Sequence, residues 1–452
     1  MKESVRQFVI ASSLFILAGM QVTPTAQELN LTSIRSDGYH SALLLNEEPL
    51  FLHGFYYTHK DDLSETCQII DELVAAEFNA ILTFDLYGSD TEAGFNYIAD
   101  NHNGKIWLIP SAHPVNISPE LAEKEAAFVW AVKDDADAHP PEDIEALHDE
   151  AKANDPYDRV TFISNTGWNQ DRRDNAPIYT GITDISGVQV YPIERGEPKA
   201  PDEKALWLQY TYEVFAGYAD ASAGNNRPLI GTTQAYKAGN RYPTAQEERN
   251  MTYAAIAAGV KGIITLRYLK HEWTTEFWNE MKALRQDTKV LAPALLDGIY
   301  TRRSTGTDTT HCSTWEYSDT LYVVVINSSY YSSKSVDITL PHGYHGPCTS
   351  LFARMPSHLT SSGGHLTGTL NPEEVHVYYI AKGGSTQSDF SPFEVQGTTP
   401  EHSVNASLPV EYFTLDGRRV LPRSQAEAHR WTYPARAKSM MIFDHSAQGR
   451  IQ

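Results

Sequence analysis

The stretch Phe128–Glu150, FVWAVKDDADAHPPEDIEALHDE, decides how the rest of the chain is read. An apolar run stops abruptly at Asp134, Asp135, Asp137 and His139, then Pro140 and Pro141 open a helical pattern. A short apolar run bounded by turn signals reads as a buried strand, and proline suits the first turn of a helix. The stretch is therefore one unit of strand, acidic loop and helix.

The same alternation runs along the preceding and following chain. Strand patterns fall at 50–56, 79–84, 105–110, 127–132, 159–164, 186–191, 228–234 and 262–268, and helical patterns include 61–77, 141–153, 202–221, 244–258 and 273–291. In the first helical pattern Leu63, Ile69, Ile70, Leu73, Val74 and Ala76 form an apolar stripe behind an acidic start, which suits a helix N-terminus. Eight such units predict an α/β fold, a (β/α)8 TIM barrel over 40–295, with its chemistry at the C-terminal ends of the strands. The acidic loop after the fourth strand lies on that rim. Asp137 and His139 fit rim solvation and helix capping. Asp134 and Asp135, at the strand end itself, are the stronger site candidates.

Beyond the barrel the period changes. Alternating runs such as TLYVVVINSS and EEVHVYYIA predict a small antiparallel β-sandwich over 296–382. A Gly/Ser/Thr/Pro-rich linker follows at 383–408, then a tail over 409–452 with an Asp416-Gly417 hairpin signal. At the other end, Lys2 and Arg6 precede an apolar run from Phe8 to Met20, the layout of a secretory signal over residues 1–26. Export to the medium or cell surface is expected. No later run is apolar enough for membrane insertion. A net charge of −21 argues against nucleic acid and against anionic membrane surfaces. Oligomeric state is open. Cys312 and Cys348 can pair or stay as free thiols, with Cys67 left over.

Several stretches, in order, resemble a secreted barrel glycoside hydrolase of the retaining superfamily. They are GFYY after the first strand, EFNAILTF into the second, DISGVQVYPI at the sixth and AAIAAGVKGIITLRY at the eighth. The helix FWNEMKALRQDTKVLAPALLDG followed by a sandwich matches the same layout. The tail VEYFTLDGRRV is similar to the sorting tails of secreted Bacteroidetes proteins, which implies the periplasm or outer-membrane face of a Gram-negative cell. The resemblance implies a poly- or oligosaccharide substrate and no cofactor. It also implies Asn-Glu after the fourth strand and a glutamate after the seventh. This chain has Asp134-Asp135 and Gln234 there instead.

Cleaving a glycosidic bond calls for an acid to protonate the leaving oxygen and a second carboxylate to attack the sugar or activate water. Neighbouring Asp134 and Asp135 can raise one another's pKa, and Asp135 is the favoured acid/base. Glu194, beyond the sixth strand, is the first choice of partner, with Glu272 and Asp85 as rivals. Sugar rings stack on aromatics and their hydroxyls take hydrogen bonds. Tyr56, Trp168, Tyr191, His113, Asn165, Gln234 and Arg267, with Asp85 and Glu272, are the candidate substrate-binding residues. Tyr57, Tyr236, Tyr268 and Trp273 fall at the same strand ends. Two other readings follow: a carbohydrate-binding barrel that has lost hydrolysis, and a metal site drawn from His53, His59, His113, Asp135 and His139.

Overall fold

The computed structural model describes residues 29–57, 63–167, 170–195, 207–237, 241–355 and 358–384, with two short strands in the tail. The proposed signal segment and nearly all of the linker and tail lie outside the described residues. The chain divides into Met1–Phe390 and Ser391–Gln452. In the second unit, Tyr412–Phe413 pairs antiparallel with Arg419–Val420.

Eight parallel strands form the centre of the first unit. They are β1 (Leu52–Tyr56), β2 (Ala80–Leu82), β3 (Trp107–Ile109), β4 (Trp130–Lys133), β5 (Thr161–Asn165), β6 (Ile185–Gln189), β7 (Leu229–Gln234) and β8 (Gly262–Leu266). The strands pair in order from β3 through β2, β1, β8, β7, β6 and β5 to β4. A parallel bridge between Ser111 and Ala131 closes the ring. This is the predicted TIM barrel.

The outer helices are α1 (Leu63–Ala75), α2 (Ser89–His102), α3 (Pro141–Asn154), α4 (Trp207–Gly224), α5 (Ala245–Ala258) and α6 (Thr275–Asp297). Between β3 and β4 there is only the one-turn helix Pro119–Ala122. Strand alternation explains the two apolar layers. Leu52, Ala80, Trp107, Ala131, Phe162, Ile185 and Ile230 fill the barrel interior. Their neighbours Phe55, Ile81, Leu108, Trp130 and Ile163 face outward into the helix layer.

The antiparallel strands Thr32–Arg35 and Ala42–Leu45, absent from the sequence reading, close the N-terminal end of the barrel. Leu43 joins the interior cluster, and the Thr32 hydroxyl donates to Phe128 O at 2.8 Å. Gly54 in β1 has no room for a side chain, because a Cβ there would lie 1.8 Å from Ala80 O. Gly54→Ala must push β1 and β2 apart, and a loss of about 2 kcal/mol or more is expected in denaturant titration.

At the same closed end the ammonium of Lys261 is buried and donates to Leu295 O at 2.6 Å. Burial lowers its pKa from 10.5 to about 7. The folded state therefore binds fewer protons than the unfolded one between those values, and stability rises with pH there. Lys261→Met removes that dependence. Its advantage over the native chain should shrink by about 2–3 kcal/mol between pH 6 and pH 9, read from paired denaturation curves.

The C-terminal part of the first unit contains β9 (Ile299–Arg303), β10 (Thr310–Tyr317), β11 (Thr320–Asn327), β12 (Lys334–Thr339), β13 (Thr349–Ser350), β14 (Thr360–Ser362), β15 (His365–Leu370) and β16 (Val375–Ala381). One sheet has the order β9-β10-β11-β16-β13 and the other β12-β15-β14. Along β11, Leu321, Val323 and Val325 face the smaller sheet. Tyr322, Val324 and Ile326 pack instead with residues of α5 and α6. Polar contacts reinforce this seam: Ser313 donates to Ala257 O at 2.6 Å and Tyr330 to Glu247 Oε1 at 2.7 Å. Cys67, Cys312 and Cys348 are free thiols. Among the described residues no helix is long and apolar enough to cross a membrane.

Candidate active site

Two backbone irregularities shape the end of β4. The register with β5 slips between Ala131 and Lys133, so β4 carries one extra residue. Asp135 then adopts φ +50°, ψ +39°, the left-handed conformation, and starts a short 3-10 turn over Ala136–Ala138. Consecutive side chains on a regular strand point to opposite faces. The left-handed turn cancels that alternation, and Asp134 and Asp135 come to the same neighbour.

That neighbour is Gln189, at the end of β6. Its Nε2 lies 2.6 Å from Asp134 Oδ1, 3.4 Å from Asp135 Oδ1 and 2.7 Å from Ser164 Oγ on β5. Tyr191 donates its hydroxyl proton to Gln189 Oε1, which fixes the amide orientation. Asp134 also accepts from Tyr56, whose OH is 2.6 Å from Oδ2, and from Asp135 N at 3.1 Å. Side chains from β1 and β6 thus converge on one carboxylate at the barrel mouth, with Ser164 of β5 steadying the Gln189 amide.

The electrostatics follow from this crowding. Burial raises the Asp134 pKa against the hydrogen bonds of Tyr56 and Gln189, and the charge of Asp85 adds to the rise. Asp135 as a residue is exposed, yet its carboxyl sits in a crowded rim. Partial desolvation, then the charges of Asp134 and Asp137, raise its pKa as well. The Tyr56 hydroxyl is pushed up by burial and by Asp134, so it stays a proton donor to that carboxylate.

The other sequence candidates divide. Asp85 sits exposed after β2, close enough for its charge to act on both Tyr56 and Asp134. Tyr191 packs edge-on to Tyr236, with ring centroids 5.3 Å apart. Arg267 and Glu272 line a separate pocket on the β7–β8 side. His113 is exposed and meets the ring of Tyr87 edge-on at 5.4 Å. Trp168 and the side chain of Glu194 lie outside the described residues, as does His59.

Several expectations need correction. Asn165 is fully buried, and its amide nitrogen donates to Ser186 Oγ at 3.1 Å and Gly187 O at 2.9 Å. It ties β5 to β6 and does not present that group to a sugar. Gln234 is also fully buried; its Oε1 accepts from Ile193 N at 2.9 Å, so it fastens the loop after β6 to β7. Tyr268 donates to Glu72 and packs on Phe55 in the outer layer. Trp273 donates to Ala235 O at 2.8 Å. His53 is buried, with Nδ1 2.7 Å from the Thr288 hydroxyl of α6, so it is not on the rim with the carboxylates. Asp137 is a loop anchor, accepting from Thr166 N at 2.9 Å, Gly167 N at 3.0 Å and the Tyr218 hydroxyl at 3.2 Å.

Ser164 and Gln189 were not singled out from sequence. The available signal was polarity at a position that strand alternation turns into the barrel. Tyr87, a large aromatic left 46% exposed on the same rim, was also passed over.

No family model matches the chain, and no curated protein matches it. Among solved structures the chain is similar to an Anoxybacillus alpha-amylase, with TM-score 0.49 and 11% identity over 73% of this chain and 92% of that one. It is similar to the Geobacillus thermoleovorans alpha-amylase complexed with acarbose, with TM-score 0.48 and 12% identity over 77% and 100%. A GH30 endoxylanase from Clostridium papyrosolvens gives TM-score 0.45 and 11% identity over 74% and 96%. These neighbours are glycoside hydrolases. At such identities and scores the likeness carries nothing about the chemistry of this chain.

Proposed function

We propose that this protein is a secreted hydrolase of glycosidic bonds in a poly- or oligosaccharide, working through Asp134 and Asp135. One observation supports it most: a single amide nitrogen, Gln189 Nε2, reaches an oxygen of each aspartate. Laid end to end, those two contacts put the oxygens no more than about 6 Å apart, short of the roughly 6.5–9.5 Å that an inverting water requires. For this pair, retention is the favoured outcome.

The roles follow from the surroundings. Asp135 is the more open, with a raised pKa, and it acts as proton donor to the leaving oxygen. Asp134 receives Tyr56, Gln189 and the Asp135 amide, a set that holds an anion in place, and it acts on the anomeric carbon. Asp85 lies within electrostatic reach as a third acid.

A second reading, a carbohydrate-binding protein without turnover, is favoured by Gln234, whose amide serves the fold where the resembled hydrolases carry an acid. Screening purified protein against a glycan panel separates the two. Turnover by the native chain that disappears in Asp135→Asn supports the hydrolase. Binding without turnover in both supports the lectin-like reading.

A further inference from the structure

Beyond β7 and β8 lies a pocket of about 380 Å³, lined in part by Tyr236, Lys237, Tyr242, Arg267 and Glu272. Its chemistry differs from that of the acidic mouth. Lys237 and Arg267 contribute two positive charges to a chain whose net charge is −21. The one acid among these residues is engaged: Tyr242 donates its hydroxyl proton to Glu272, and His271 Nε2 lies 3.5 Å from the other carboxylate oxygen. Arg267 Nε is buried and has no hydrogen-bond acceptor among the described residues. Arg267 as a residue is half-buried at the pocket wall, and a guanidinium is shaped for a planar carboxylate.

The pocket also connects to the aspartates. Tyr236 of its wall packs on Tyr191, Tyr191 holds the Gln189 amide, and Gln189 contacts both carboxylates. Three side chains, Tyr236, Tyr191 and Gln189, thus link the pocket wall to the two aspartates.

We infer that this pocket binds the carboxylate of an acidic sugar, so that the substrate carries a uronic acid unit. The two tyrosines supply the apolar walls that sugar rings need, and Lys237 and Arg267 supply the charge. This inference rests on the saccharide reading above and narrows it to acidic glycans.

The test uses 4-nitrophenyl glucuronides and galacturonides beside the matching glucosides and galactosides, which differ only at the C6 group. Binding to the full chain is measured by calorimetry at two salt concentrations. At least one uronide is expected to bind tenfold or more tightly than its neutral counterpart, with the preference weakening at high salt. Arg267→Gln should abolish the preference, Arg267→Lys should restore part of it, and Lys237→Gln should reduce it. Melting curves establish that each variant is folded. Equal affinity for acidic and neutral partners, or a preference that survives both Gln variants, overturns the inference. Hydrolysis of a neutral glycan with no uronide preference overturns it alone and leaves the hydrolase reading standing. Absence of binding to any of these sugars and to the glycan panel removes both.

Discussion

Asp135→Asn is expected to lower kcat/KM on an unactivated glycan by about a thousandfold, the range typical of removing a positioned general acid. The loss should be much smaller on an aryl glycoside with an acidic phenol, because that leaving group departs without a proton. Asp134→Asn should be equally severe on both substrates, since its role is at the sugar carbon. Tyr56→Phe removes one charge-assisted hydrogen bond from Asp134, and a drop of about ten- to a hundredfold is expected. Because crowding raises the Asp135 pKa, its protonated form persists above the ordinary carboxylate range. The rate should therefore fall as pH rises through that shifted value. A rate that is unchanged in Asp135→Asn, or that falls equally on both substrate types, would sink the assignment.

The second large effect is on stability, at the seam between α6 and the C-terminal sheets. Arg249 of α5 makes a forked contact with Glu280 at 2.8 and 2.6 Å, and Arg354 reaches both Glu280, at 2.7 Å, and Asp287. Tyr253 completes the group by donating to Asp287 at 2.8 Å. Glu280 and Asp287 are buried. Arg354→Met keeps the aliphatic stem and removes the charge, leaving Asp287 with Tyr253 as its remaining donor here. A loss of about 3 kcal/mol is expected. By contrast, Glu92→Gln at the more exposed Lys124–Glu92 pair should cost less than about 1 kcal/mol.

The pH dependence of that variant has a definite sign. Burial raises Asp287 from 3.8 to about 6, against the pull of Arg354. A folded-state pKa above the unfolded one means that the native chain holds an extra proton, so this group's contribution is full below about pH 4 and is lost as pH rises through 6. Without Arg354 the carboxyl moves higher still. Chemical denaturation should find the deficit of Arg354→Met larger at pH 8 than at pH 5.

The barrel was legible because its strands are short apolar runs at regular spacing, each followed by turn residues. Helix α2 escaped notice because SDTEAGFNYIADNH is mostly polar, and only Thr91, Gly94, Phe95 and Ile98 are buried. The N-terminal strands escaped because their role is to cover the end of a barrel that the local sequence does not reveal. At the site, Asp134 and Asp135 stood out by position, but their shared orientation depends on one left-handed residue and one inserted residue. Neither has a sequence signature as plain as glycine. Asn165 and Gln234 misled for a related reason. An amide at a strand end looks the same in the sequence whether it faces a ligand or a neighbouring backbone.

Helix α5 has a further implication. From Asn250 through Ala258 every residue is buried, enclosed by the barrel on one side and by β10, β11 and β16 on the other. The barrel is therefore not an excisable module. A chain cut after Gly298 would leave that helix with an uncovered apolar flank, and grafting a foreign accessory module in place of the native sheets would require redesigning the helix along with it.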